Sequence, residues 1–141
     1  MAGKWCDEGE NRVAKILFMA TAVEDYRMGL YKNVAEPSEA ATCAALTTTA
    51  GITEPAVVGA GGYERKVLTR GVWSTTGSVA AYSQQTFTAV GASWGSVYGY
   101  FITTASAGTA GVLMAVETFT DGPYTINDGD SVKVTPSITI A

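Results

Sequence analysis

Three carboxylates crowd the C-terminal part of the chain, Asp121, Asp128 and Asp130, and oxygen donors so close could hold a calcium ion or divide acid and base roles between them. An EF-type calcium loop needs further oxygen ligands at alternating positions and a distal glutamate. Asp128-Gly129-Asp130-Ser131-Val132-Lys133 supplies neither, so all three are expected to be turn residues. Two mixed-charge clusters, Glu24-Asp25 beside Arg27 and Glu64-Arg65-Lys66, could orient a polar substrate. Charges of both signs on strand edges are expected instead to stay in water and discourage edge-to-edge aggregation.

Serine is plentiful, but there is no Gly-x-Ser-x-Gly elbow and no histidine. The base that would activate a hydroxyl near neutral pH is therefore missing, as is the commonest metal ligand. Cys6 and Cys43 have no CxxC spacing and no histidine to complete a zinc set; they are expected to be free, partly buried thiols. Gly59-Ala60-Gly61-Gly62 is followed by no Gly-Lys-Ser/Thr and is expected to be a hinge, not a phosphate loop. The residues thus point away from an enzyme, and to no cofactor and no metal.

The aromatic residues Tyr82, Trp94, Tyr98, Tyr100 and Phe101 exceed what a small core requires. In Val97-Tyr98-Gly99-Tyr100-Phe101-Ile102, alternation puts Val97, Gly99 and Phe101 on one face and Tyr98, Tyr100 and Ile102 on the other. Gly99 leaves room for another backbone or ring, and tyrosines keep a polar tip for a wet boundary. Three readings stay open: a strand buried on both sides, a subunit interface, or a sugar-stacking platform. Trp94, Tyr98 and Tyr100 are the candidate contact residues here.

These groups need elements to hold them. Asp7 with Glu10 three residues on has the spacing of a capping box, predicting a helix over 8–20. Val13, Ile16, Leu17 and Ala20 then form one apolar stripe, which must dock because a helix this short is marginal alone. It packs on its own β domain or acts as an arm on a neighbour, with Val13, Ile16 and Leu17 as interface residues in the second case. Strands are predicted at Tyr26–Tyr31, Tyr63–Leu68, Gln85–Val90, Val97–Thr103, Val112–Phe119, Ser131–Thr135 and Ser137–Ile140. Residues 38–60, rich in Ala and Thr, read as a long surface excursion and candidate interface. The Asp-Gly signal in Asn127-Asp128-Gly129-Asp130 predicts a hairpin.

The class is mainly β: an antiparallel β-sandwich or jelly roll with one short N-terminal helix. At 141 residues the chain suits one domain. Residues 1–60 carry the helix, first strand and interface loop, and 61–141 the sandwich part. Charged residues are only 16% of the chain, against about a quarter on average, and the neutral surface left over suits a subunit that buries area against neighbours. Net charge is −4, with Lys and Arg scattered, so nucleic acid is not expected as a partner. The run Ile16–Ala22 resembles a signal-peptide core, but Asp7, Glu8 and Glu10 stand where that flank should be positive. Synthesis in the cytosol without a membrane span is expected.

Gly61-Gly62-Tyr63-Glu64-Arg65, Trp94-Gly95-Ser96-Val97-Tyr98-Gly99-Tyr100-Phe101-Ile102, Gly111-Val112-Leu113-Met114-Ala115 and Ile126-Asn127-Asp128-Gly129-Asp130-Ser131-Val132-Lys133-Val134 resemble small tailed-phage virion proteins, described as capsid decoration (cement) or tail-fibre-like proteins. The resemblance covers residues 61–141, with a looser likeness of the helix and the strand at Tyr26–Tyr31. It implies a virion location after synthesis in the host cytoplasm. The implied partners are the major capsid protein and copies of the chain itself, a trimer being favoured, or host-surface glycan if the protein belongs to the tail.

Overall fold

The computed structural model describes residues 3–18, 24–46, 52–55 and 62–139, and of Ala14, Lys15, Leu17 and Phe18 the backbone only. In chain order the elements are β1 (Lys4–Trp5), α1 (Asp7–Phe18), β2 (Tyr26–Tyr31), a 3-10 turn (Cys43–Ala45), β3 (Lys66–Leu68), β4 (Ser74–Thr76), β5 (Val79–Ala81), β6 (Gln85–Thr88), β7 (Gly95–Val97), β8 (Gly99–Thr103), β9 (Leu113–Thr118), β10 (Tyr124–Ile126), β11 (Ser131–Val134) and β12 (Ser137–Thr139). The mainly β, antiparallel class with one short helix near the N-terminus is what the residues form.

Aromatic–glycine pairs lock the register of the central five-stranded sheet, ordered β1-β9-β8-β2-β3. Tyr31 lies opposite Gly99 and Phe101 opposite Gly29. A Cβ on Gly99 would overlap the Tyr31 ring and the Glu117 carbonyl, and one on Gly29 the Phe101 ring. Only glycine admits rings there, as expected for Gly99. β8 is buried at every position and β9 at all but its last, the pattern of strands covered on both faces.

One face carries Met28, Leu30, Tyr100 and Ile102 into a core with Phe87, Trp94 and Val132. The other carries Tyr31, Phe101, Leu113 and Val116 into a second core with Cys6, Cys43, Leu46 and Ile52. Leu113 and Val116 share a face because the β8–β9 register shifts between Ile102 and Thr103, leaving Met114 as the extra residue of a bulge.

The first core is closed by a bent two-stranded ribbon and a small sheet. In the ribbon β6 pairs β11 and β7 pairs β10. The predicted strand Val97–Thr103 is therefore two strands, since β7 bonds to β10 and β8 to β2 and β9. The chain changes partners at Tyr98, whose N–H donates to the Tyr31 carbonyl at 2.9 Å. The hairpin predicted at 127–130 also needs correction. The turn exists, with Gly129 at φ +89 and the Asp130 N–H on the Asn127 carbonyl, but its flanking strands pair with β7 and β6 instead of each other. The turn nests against the facing bend of the ribbon: Gly129 N–H donates to Ala89 O at 2.9 Å and Asp128 Oδ1 accepts from Gly91 N–H at 2.7 Å. The small sheet has the order β12-β5-β4. Its β4–β5 hairpin turns at Gly77-Ser78, and the sequence pattern marks neither of these strands, nor β1 and β10.

The helix begins at Asp7, one turn member earlier than the capping box implied. The Cys6 carbonyl accepts the Glu10 N–H, and the Asp7 N–H donates to Glu39 O. Its first turns close on the chain's own sheet. Cys6 N–H donates to Met114 O at 2.9 Å, and Glu8 Oε2 accepts from Leu113 N–H and Cys43 N–H at 2.9 and 3.0 Å. A Cβ on Gly9 would overlap the Met114 backbone. Positions 19 and 20 of the expected helix lie outside the described residues.

The expected surface excursion is corrected as well. Its described parts, 38–46 and 52–55, bury Cys43, Leu46, Ile52 and Glu54, because the second face of the sheet must be covered and these residues cover it. Residues 47–51 and 56–61, including most of the glycine hinge, are outside the described set. Among the described residues no helix is long and apolar enough to cross a membrane.

Candidate interaction surface

Arg65, expected in water, has a buried side chain: Nε and Nη2 donate to Glu54 Oε1 and Oε2 at 2.9 and 2.7 Å, a bidentate pair with 2% and 3% side-chain exposure. Nη1 and Nη2 also donate to Ala105 O and Gly108 O at 2.9 and 2.8 Å, and the guanidinium lies 5.3 Å from the Phe101 ring centre. A buried charge must be matched this fully to persist. Tyr63 completes the set, donating to Glu54 Oε1 at 2.8 Å while accepting the Leu30 N–H at 2.9 Å. Burial would lower the Arg65 pKa, but hydrogen bonding and the charge of Glu54 outweigh it and hold the value raised. Burial lifts the Tyr63 phenol well above its usual range. A cleft of about 300 Å³ opens beside this network, with Arg27, Glu64 and Ser106–Gly108 on its walls. Glu54 and Arg65 are occupied by each other and by the backbone, so neither is poised as a base or electrophile.

A second buried pair ties β8 to β9. Tyr100 Oη donates to Glu117 Oε2 at 2.6 Å and accepts from the Ser137 N–H at 3.2 Å. Burial raises the Glu117 carboxyl above the ordinary carboxylate value, and the Tyr100 bond partly offsets this. The Cys6 thiol is pushed up to about 12 by burial, and the Cys43 thiol is also raised, burial again leading. A thiol so far from its thiolate is a poor nucleophile and ligand.

Of the other charged residues, Glu24 pairs with Arg12 and Asp25 accepts the Arg70 N–H at 2.7 Å. Asp130 accepts the Asn127 N–H at 2.9 Å, so Asp128 and Asp130 are turn residues. Among the described residues no group of three or more His, Cys, Asp or Glu could hold a metal ion.

The contact candidates are not gathered into one surface. Trp94 and Tyr100 are each 3% exposed and belong to the first core, with Trp94 edge-on to Tyr63 at 5.6 Å. Their rings are committed inside the chain and leave almost no area for a glycan or a neighbour. Tyr98 is half-buried against the second core. Val13 is half-buried against the first core and Ile16 is half-buried; the Leu17 side chain lies outside the described residues.

One feature that no motif marks is a long stretch of chain without charge. No Asp, Glu, Lys or Arg occurs between Arg70 and Glu117. This stretch supplies the exposed β4, the loop 106–111 and the bend at Val90-Gly91. It also holds three large apolar side chains open to solvent, Val72 at 59%, Val79 at 36% and Val90 at 64%. The signal was present as a gap in the charge pattern. The chain matches no protein-family model and no curated protein at a significant level.

Proposed function

We propose that this chain is a structural subunit of a tailed-phage virion, a capsid decoration protein that bridges neighbouring coat subunits and acts by contact instead of chemistry. The observation that carries the reading is the pairing of two facts. The most reactive candidate groups are buried: Arg65 and Glu54 are bonded to each other, as are Tyr100 and Glu117, and both thiols lie in the core. Residues 71–116 meanwhile contribute no charged side chain and expose Val72, Val79 and Val90, and neutral or apolar groups cost little to desolvate against a partner. Each copy then needs only modest affinity, since many symmetric sites on one shell add up. The resemblance of residues 61–141 to small virion proteins supports the same reading. The tail reading drew on Trp94 and the tyrosines as a stacking platform, and it loses most of that support with Trp94 and Tyr100 in the core.

The test is copy number in particles purified from the phage that encodes the chain, by quantitative mass spectrometry against the coat protein. Copies comparable in number to coat subunits are expected. A handful per particle would move the protein to the tail, and absence from particles would end the virion reading.

A further inference from the structure

The small sheet β12-β5-β4 ends in an edge that nothing in the described chain covers. On its far side, β12 is shielded by a bridge between Ile138 and Gly3. At the other end β4 has no second neighbour among the described residues, and Ser74, Thr75 and Thr76 are all exposed. Thr76 and Val79 close the two-residue turn, so Ser74 and Thr76 direct their peptide groups at β5 and Thr75 directs its N–H and C=O outward. The alternation is visible one strand along, where Tyr82 N–H reaches over to Pro136 O of the β12 side at 3.0 Å.

Open edges in natural sheets are usually blunted by charge, proline or a bulge. The edges of the central sheet follow that rule: β1 carries Lys4, paired with Glu36, and β3 carries Lys66. β4 has none of these devices, and its flanks Val72, Trp73, Gly77 and Ser78 are neutral too. An edge left unguarded in this way is a template for another strand.

We propose that β4 pairs with β4 of a second copy of this chain, antiparallel about a two-fold axis through Thr75, joining two small sheets into one of six strands. A second copy fits for reasons of register and of charge. About that axis the outward N–H and C=O of Thr75 meet those of Thr75 in the other copy, and Ser74 faces Thr76, so every opposed side chain is short and neutral. Each copy carries a net charge of −4, and two like-charged copies approach at least cost through the part of each that bears no charge. Exposed Val72 and Val79 flank the contact. This pairing is a property of the chain alone and stands apart from the virion reading, which copy number tests separately.

The experiment is sedimentation of the whole protein. A three-residue strand pair is a small contact, so association is expected to be weak and is followed from about 5 µM to about 500 µM. The wild-type mass is expected to rise toward twice the monomer. Thr75→Pro, which removes an N–H that no described residue uses, at a position where an edge strand accepts proline, is expected to abolish the rise without lowering the melting temperature. A charge exchange covers the case in which Thr75→Pro perturbs folding. A variant with Ser74→Lys and Thr76→Lys, and another with Ser74→Glu and Thr76→Glu, are each expected to stay monomeric and to form a heterodimer on mixing, because the register sets each lysine opposite a glutamate. A wild-type monomer across the whole range overturns the proposal. So does a dimer or trimer that Thr75→Pro leaves intact in folded form, or a mixture that associates no better than its components.

Discussion

Glu54 and Arg65 lie 11 positions apart in sequence and face each other as a bidentate ion pair almost sealed from water. The pair fastens residues 52–55 and the loop at 105–108 to the same point of the sheet. Removing one partner strands the other as an uncompensated buried charge. Glu54→Ala is therefore expected to cost about 3 to 5 kcal/mol, whereas Glu54→Leu combined with Arg65→Met should cost clearly less. Urea denaturation of the three proteins measures both. A single variant within about 0.5 kcal/mol of wild type would show the pair to be solvated.

Gly9 sits in α1 with no room for a Cβ against the Met114 backbone. In a free helix, glycine to alanine stabilises by about 1 kcal/mol. Here Gly9→Ala is expected to reverse that sign and lose about 1 to 3 kcal/mol, because the helix must lift from β9 or β9 must shift. Thermal unfolding decides between these outcomes. A raised melting temperature would mean that α1 is undocked in solution, as an arm would be.

Glu117 gives stability a pH dependence with a defined sign. Its folded pKa is raised above the unfolded value, so the neutral form is favoured in the folded state. The associated stability is fully present below the unfolded pKa, near 4.3, and is lost as pH rises through the folded pKa. Glu117→Gln cannot ionise and should escape that loss. Its stability relative to wild type is expected to improve over the pH window that opens at the unfolded value and closes above the raised folded one, measured by denaturant titration at each pH. A difference that stays flat over this window refutes the assignment to Glu117.

The thiols report on the second core. With Cys6 pushed up to about 12 and both cysteines buried, almost none of the Cys6 thiol is thiolate at neutral pH. A thiol reagent should find almost nothing in the native protein and two groups per chain after unfolding without reductant. Rapid native reaction would mean the core around Cys43, Leu46 and Ile52 is open, and no thiol after unfolding would mean a disulfide.

The legible parts of the fold were those set by local chemistry. Gly99 could be read as a place for a ring because only glycine leaves that space, and Gly129 as a turn because its neighbours are turn formers; both stand as read. What escaped the sequence was choice of partner. Periodicity shows that 97–103 is extended, but not that Val97 pairs with Tyr124 while Gly99 pairs with Tyr31 and Thr118. The same holds for Asp128-Gly129, whose turn joins two strands that belong to different neighbours. Arg65 looked solvated because the carboxylate that buries it comes from a stretch with no periodic signal. Trp94 and Tyr100 looked like contact residues because aromatic abundance does not reveal whether rings face a core or a partner.

The uncharged run between Arg70 and Glu117 sets how its surface responds to solution conditions. Residues 72–79 bring no ionisable side chain to a contact made through β4, so such a contact would depend less on pH and dilute salt than one made by ion pairs. Strongly hydrated anions such as sulfate would tighten such a contact instead of loosening it.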